Sequence, residues 1–91
     1  MKIDVFDTYA HTSAGEIIHF DVLMPHGAIQ EAAITHANTF LASIGVMQAN
    51  VKSLRCNFCH SEPANDKIEQ SIAANGCFIL QMEGCPNPYR G

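Results

Sequence analysis

The residue types best suited to chemistry are concentrated in positions 54–62, which read Leu-Arg-Cys-Asn-Phe-Cys-His-Ser-Glu. Cys56 and Cys59 are separated by two residues, a spacing that can direct both sulfurs toward one point. This arrangement suits a tetrahedral metal ion, a disulfide or a thioether-linked cofactor. The stretch is therefore predicted to be a site, with its chemistry still open.

The first third of the chain predicts a β-hairpin that could position further polar groups. Residues 2–11 and 16–24 are rich in Ile, Val, Phe, Thr and Tyr and flank a Thr-Ser-Ala-Gly turn ending at Gly15. A three-residue loop with Gly15 in the left-handed region places Thr12 opposite Glu16. We expect that register to create an apolar face toward the core, formed by Phe6, Ala10, Ile18, Phe20 and Val22.

The other face of the hairpin is polar in this register. Asp7 lies opposite Asp21, and Tyr9 lies opposite His19. Two carboxylates across a ladder repel each other, so they require a cation, a shared proton or water between them. One interpretation is an ordinary solvated face; the other is a second binding surface, to which we also assign Glu62.

The rest of the chain alternates helix and strand signals. The predicted elements are a helix over 28–43 ended by Gly45, a strand over 51–56, a helix from Asn65 or Asp66 to Asn75 and a strand over 77–83. The order β-β-α-β-α-β predicts an α/β fold, bordering on α+β, with residues 1–84 as one domain and 85–91 as an extended tail. Right-handed crossovers would give a two-layer sandwich, a four-stranded mixed sheet with both helices on one face.

Parallel second, third and fourth strands would bring distant cysteines to one edge of the sheet. Ligand sites form beyond the carboxyl ends of such strands, where we expect Cys56, Cys59, His60 and Cys85 to meet. Cys77 would then lie about 25 Å from Cys85, at the other end of the last strand, and we interpret it as a packing residue.

Four interpretations of this thiol site are open. Cys56, Cys59 and Cys85 could bind zinc, with His60 or water as the fourth ligand. Cys56 and Cys59 could instead cycle between dithiol and disulfide. The Cys-x-x-Cys-His spacing also matches haem attachment, but the lack of an export signal and the α/β scaffold argue against haem. In the fourth interpretation, these residues only pack and form hydrogen bonds.

Four blocks of the chain resemble the signatures of a family of short bacterial proteins known as domain of unknown function 2024. The blocks are Asp-Thr-Tyr at 7–9, His-Phe-Asp-Val-Leu at 19–23, Cys-Asn-Phe-Cys-His at 56–60 with Glu62, and Gly-Cys-Phe-Ile-Leu-Gln-Met-Glu-Gly-Cys at 76–85. The resemblance implies a small α/β fold and no established activity. Cys77 stands where the family usually has an aromatic residue, which argues against Cys77 as a ligand.

Composition restricts the partners and the compartment. The net charge is −4 and the five Lys and Arg residues are dispersed, so no basic stripe is available for nucleic acid. Asp4 and Asp7 interrupt any signal peptide and no stretch could span a membrane, so we expect a cytoplasmic protein, a monomer or a weak homodimer. Motifs for hydrolysis or nucleotide use are missing. We therefore predict a non-enzymatic module that binds a protein, a small molecule or a metal, with a thiol oxidoreductase as the alternative.

Overall fold

The computed structural model describes residues 1–88 and contains the predicted order of strands and helices. The elements are β1 (Lys2–Thr12), β2 (Ile17–Pro25), α1 (Gln30–Ser43), a 3-10 turn (Gln48–Asn50), β3 (Val51–Pro63), α2 (Asp66–Asn75) and β4 (Phe78–Gln81). Residues 89–91, the end of the predicted tail, lie outside the described part of the chain. Neither α-helix among residues 1–88 is long and apolar enough to cross a membrane.

The hairpin of β1 and β2 has the predicted register. Phe6 pairs with Val22, and Thr8 pairs with Phe20. At the turn, Gly15 has φ 87° and donates its N–H to the Thr12 carbonyl at 3.0 Å. Because this turn fixes the pairing, the even-numbered apolar side chains all face the core, where Phe20 is completely buried.

The strand arrangement differs from the prediction. The sheet order is β3-β1-β2-β4, and every neighbouring pair is antiparallel. The expected mixed sheet with β2, β3 and β4 as parallel strands is therefore wrong: β2 and β3 share a direction but β1 separates them, and β4 runs the other way. The ten residues of α2 span about 15 Å, which matches the width of about 14 Å from β3 to β4. The helix thus crosses the sheet, and β4 starts at the end where β3 finishes.

The two helices cover opposite faces of the sheet, so the two-layer prediction is also wrong. On the even-numbered face, α1 buries Ala37 and Leu41, and Phe40 packs on Phe20 with ring centroids 4.8 Å apart. On the odd-numbered face, Ile72 of α2 packs in a smaller cluster with Ile3, Val5 and Leu23. The fold is therefore α+β.

Helix α2 begins and ends where the sequence predicted. The Asn65 side chain accepts a hydrogen bond from the Ile68 N–H at 2.9 Å, and Gly76 ends the helix in the left-handed region at φ 84°. Because α2 covers only one end of the odd-numbered face, the middle of the hairpin on that face is left without a helix over it.

Candidate metal centre on the hairpin

Three side chains converge on the uncovered part of the odd-numbered face. Asp7 on β1 and Asp21 on β2 are directly opposed, and His19 is two residues from Asp21 on the same strand. One ligand atom from each of the three side chains lies within 4.8 Å of the others, and all three residues are partly buried. Among residues 1–88, they form the one group of three or more His, Cys, Asp and Glu side chains that meets this geometry.

The imidazole of His19 is held in place from two sides. Its Nε2 lies 2.8 Å from Asp7 Oδ1, within hydrogen-bonding distance. The Tyr9 ring, which lies opposite on β1, stacks on the imidazole with a centroid distance of 4.1 Å and an interplanar angle of 5°. The His19 side chain is only 15% exposed. These contacts fix the orientation of the imidazole.

The charges of the site disfavour full ionisation of both carboxyls. Loss of hydration on burial, followed by the hydrogen bond and charge of Asp7, raises the pKa of Asp21 from 3.8 to about 6. The pKa of Tyr9 is also raised, first by loss of hydration and then by the negative charges of Asp7, Glu83 and Asp21. The prediction that the opposed aspartates need a proton, water or a cation between them therefore agrees with the electrostatics of the folded chain.

The segment that follows β4 fixes the backbone of His19. The His19 N–H donates to the Glu83 carbonyl at 2.8 Å, and the Met82 N–H donates to the His19 carbonyl at 3.0 Å. The Cys85 thiol donates to the same His19 carbonyl at 3.3 Å. Gly84 allows this approach, because a Cβ built there would overlap the Ile17 carbonyl oxygen. No positioning role was assigned to this segment from the sequence, although residues 82–85 belong to the family block at 76–85.

A β-bulge at Cys59 directs His60 toward the same face. Phe58 pairs with Phe6, but His60 pairs with Val5, so Cys59 has no partner on β1. Without the extra residue, His60 would face the α1 side of the sheet. His60 is close enough to Asp21 that a charge on its imidazole would lower the pKa of that carboxyl, the smallest of the influences on it. Sequence patterns gave no signal for this bulge.

The thiols do not come together as the sequence suggested. The cysteine motif was expected to follow β3, but the strand continues to Pro63, so Cys56 and Cys59 lie within it. Cys85 follows β4 at the opposite edge of the sheet, with β1 and β2 in between. The expected convergence of Cys56, Cys59 and Cys85 therefore does not occur, because it depended on β3 and β4 being parallel neighbours.

Burial also makes most of the thiols poor ligands. Cys56, Cys77 and Cys85 are buried in the larger core cluster, and burial raises the pKa of each of these thiols. Cys56 lies opposite Thr8, whose Oγ1 is 3.4 Å from its sulfur. Cys59 is exposed.

The remaining predicted site residues form a chain of contacts along β3. His60 Nδ1 is 3.3 Å from the Cys59 sulfur, and His60 Nε2 is 3.0 Å from Glu62 Oε2. Glu62 is therefore linked to His60, and it pairs with Ile3 at the end of the odd-numbered face.

Fold and site together describe a small α+β domain with an antiparallel sheet and a cluster of possible metal ligands on its central hairpin. The chain belongs to the family called domain of unknown function 2024 (DUF2024), whose model matches residues 1–82. The predicted resemblance is thus confirmed.

One solved structure is similar over almost the whole chain. It is the NMR structure of protein NE1680 from Nitrosomonas europaea, a Northeast Structural Genomics Consortium target. The two sequences are 45% identical, the alignment covers 93% of this chain and 99% of that one, and the TM-score is 0.78. No curated protein matches this chain.

Proposed function

We propose that this protein is a divalent-cation-binding module whose ligands are Asp7, His19 and Asp21. The observation that carries the proposal is the approach of one imidazole and two carboxylates to within 4.8 Å on the hairpin. A cation between the carboxylates relieves their mutual repulsion, which a proton must otherwise do. Binding the cation would therefore release the proton held by the Asp7 and Asp21 pair, and His19 would bind through Nε2 as the tautomer that carries its proton on Nδ1.

The donor set favours a first-row transition metal. Imidazole suits Zn²⁺, Fe²⁺ or Ni²⁺, whereas carboxylate and water alone suit Mg²⁺ or Mn²⁺. A site with one nitrogen and two oxygens should therefore prefer Zn²⁺ over Mn²⁺ and Mg²⁺. Three protein ligands on a partly exposed face leave room for water or for a ligand atom from a small molecule.

Calorimetric titration of chelator-treated, untagged protein tests this function. We expect one Zn²⁺ per chain, with weaker binding of Mn²⁺ and Mg²⁺. Asp21→Asn and His19→Asn should each lower the affinity for Zn²⁺ more than tenfold. Removing a group that only orients a ligand lowers metal affinity by about tenfold or more, and loss of a ligand itself should cost at least as much. Glu16→Gln and His11→Asn, on the same hairpin, are the matched controls and should leave the affinity unchanged.

The contribution of Tyr9 can be separated from that of the ligands. Tyr9→Phe keeps an aromatic ring over His19 and should retain the affinity. Tyr9→Ala removes the ring and should weaken Zn²⁺ binding about tenfold, as for other groups that orient a ligand. If Cys59→Ser abolishes binding while Asp21→Asn does not, the thiol zinc site is favoured and the hairpin site is rejected.

A further inference from the structure

The exposed thiol of Cys59 belongs to a second group of side chains, which shares no residue with the hairpin cation site. Of the four free cysteines, Cys56, Cys77 and Cys85 are buried and Cys59 is exposed. The bulge leaves Cys59 without a partner residue on β1, on an edge strand that solutes can reach. Accessibility alone does not make a thiol reactive. Its reactivity depends on neighbouring groups that favour the thiolate.

His60 lies between the thiol and a carboxylate. Its Nδ1 is 3.3 Å from Cys59 Sγ, while its Nε2 is 3.0 Å from Glu62 Oε2. A carboxylate accepts a hydrogen bond, so Glu62 favours the tautomer with the proton on Nε2. The lone pair on Nδ1 then faces the thiol and can accept its proton. Nucleophile, base and orienting carboxylate are the three parts that activate catalytic thiols.

The sheet keeps these three groups in register. His60 pairs with Val5 and Glu62 pairs with Ile3, so both side chains lie on the odd-numbered face two residues apart. The bulge places Cys59 immediately beside them. The arrangement therefore depends on the strand pairing as well as on the order of the residues.

Cys56 cannot serve as the second thiol of a redox pair in this fold. Along an extended strand, Cys56 and Cys59 are about 10 Å apart, whereas a disulfide requires Cα atoms within about 7 Å. Cys56 is also buried against Thr8 on the α1 side of the sheet. The predicted dithiol and disulfide cycle of these two residues would require β3 to break, so the partner sulfur must come from another molecule.

We propose that Cys59 undergoes thiol exchange with low-molecular-weight disulfides, with His60 as general base and Glu62 as positioning residue. His60 Nδ1 takes the proton from Cys59 Sγ, and the thiolate attacks one sulfur of the external disulfide. A bond forms between that sulfur and Cys59, the external sulfur–sulfur bond breaks, and the second half leaves as a thiolate that takes up the proton. Cys59 is oxidised, and the released thiol is the reduced product. Such exchange needs no oxyanion-binding group.

Oxidised glutathione is the probe for this proposal. Intact-mass analysis of native protein should show the addition of one glutathionyl group, and peptide mapping should place it on Cys59. Substituting His60→Asn should slow the modification about a hundredfold or more, the lower end of general-base effects. His11→Asn is the matched control and should react at the wild-type rate, and thermal melts confirm that each variant is folded.

Glu62 variants distinguish positioning from a structural effect. Glu62→Gln keeps an acceptor for the His60 Nε2 proton, so Cys59 should still react with oxidised glutathione at most of the wild-type rate. Glu62→Leu removes the acceptor and should slow the reaction as much as His60→Asn does. Equal rates in wild type and His60→Asn would overturn the proposal, as would addition of glutathione to a different cysteine. Cation binding is measured separately with Cys59→Ser, so failure of the cation site would not affect this result.

Discussion

The carboxylates of Asp7 and Asp21 face each other directly across β1 and β2, and His19 Nε2 contacts Asp7 Oδ1 at 2.8 Å. The opposition is imposed by the Gly15 turn, since a shift of one residue would separate the two acids. The folded chain must therefore hold either a proton or a cation at this point.

The pH dependence of stability should report the shared proton. In the folded protein the pKa of Asp21 is raised from 3.8 to about 6, so the associated stability is present below 3.8 and is lost as pH rises through about 6. In the presence of a chelator, the free energy of unfolding of the wild type, measured in urea, should fall on the order of 1 kcal/mol over this pH range, allowing for solvent screening.

Substituting Asp7→Asn isolates this effect from other titrating groups. The variant removes the opposing charge, so its stability relative to wild type should improve as pH rises from 4 to 7, values that span the shift of Asp21. Glu16→Gln, in the exposed turn, should show the wild-type pH profile. If the Asp7→Asn and wild-type profiles are parallel, the two carboxyls are not coupled.

The close approach of Gly84 to β2 should make this position intolerant of a side chain. Gly84 has φ 82°, and a Cβ there would meet the Ile17 carbonyl, which is backbone and cannot easily move. We expect Gly84→Ala to lower the free energy of unfolding by about 2 to 4 kcal/mol and to weaken Zn²⁺ binding, because the segment holds His19.

Gly45→Ala provides the matched control for that substitution. Gly45 has a similar φ of 85° but nothing within 4 Å of a built Cβ. Gly45→Ala should therefore lower the free energy of unfolding by only about 1 kcal/mol, because alanine disfavours the left-handed conformation but meets no other atom there. Chemical denaturation of both variants measures the difference, and equal losses would show that contact with Ile17 is unimportant.

The hairpin and both helices were predictable because their signals are local. Gly15 sets the register from four turn residues, and Asn65 and Gly76 mark the ends of α2. The pairing of Asp7 with Asp21 followed from that register alone. For this reason the residues of the hairpin site, though not their metal-binding geometry, could be found in the sequence.

The order of the strands was not predictable from the same signals. We expected β3 and β4 to be parallel neighbours because a helix that runs antiparallel to the strands returns the chain to its starting end. The length of α2 instead matches the width of the sheet, so the chain reaches the far edge strand at the same end. Much of β3 is exposed on the sheet edge, so its apolar alternation is weak and the strand was cut short at Cys56. The bulge at Cys59 depends on pairing with β1, a distant segment, and therefore left no local trace.

Asp4 should stabilise the end of the sheet that lies away from the Gly15 turn. Its buried carboxylate accepts hydrogen bonds from Ser61 at 2.6 Å, His26 at 2.8 Å and the Gly27 N–H at 2.8 Å. The Ser61 and His26 hydrogen bonds, in that order, lower the pKa of Asp4 from 3.8 to about 2. Its contribution is therefore present above 3.8 and is lost as pH falls through about 2.

Removing this carboxylate should be costly at neutral pH. We expect Asp4→Asn to lower the free energy of unfolding by about 1 to 3 kcal/mol, the range for a buried donor that loses a charged partner. Glu16→Gln is again the control and should change it little. Urea unfolding measures both, and an Asp4→Asn variant as stable as the control would contradict the network.

The most direct test of the cation site is the imidazole nitrogen NMR spectrum of chelator-treated protein during titration with Zn²⁺. If Asp7, His19 and Asp21 hold the ion, the His19 Nε2 resonance should move to the range of a metal-bound nitrogen at one equivalent. The His11 resonances and the Cβ resonance of Cys59 should remain in place, and neither His60 nitrogen should reach the range of a metal-bound nitrogen. Movement of the His60 and Cys59 resonances, with His19 unchanged, would contradict the account and place the ion at the thiol.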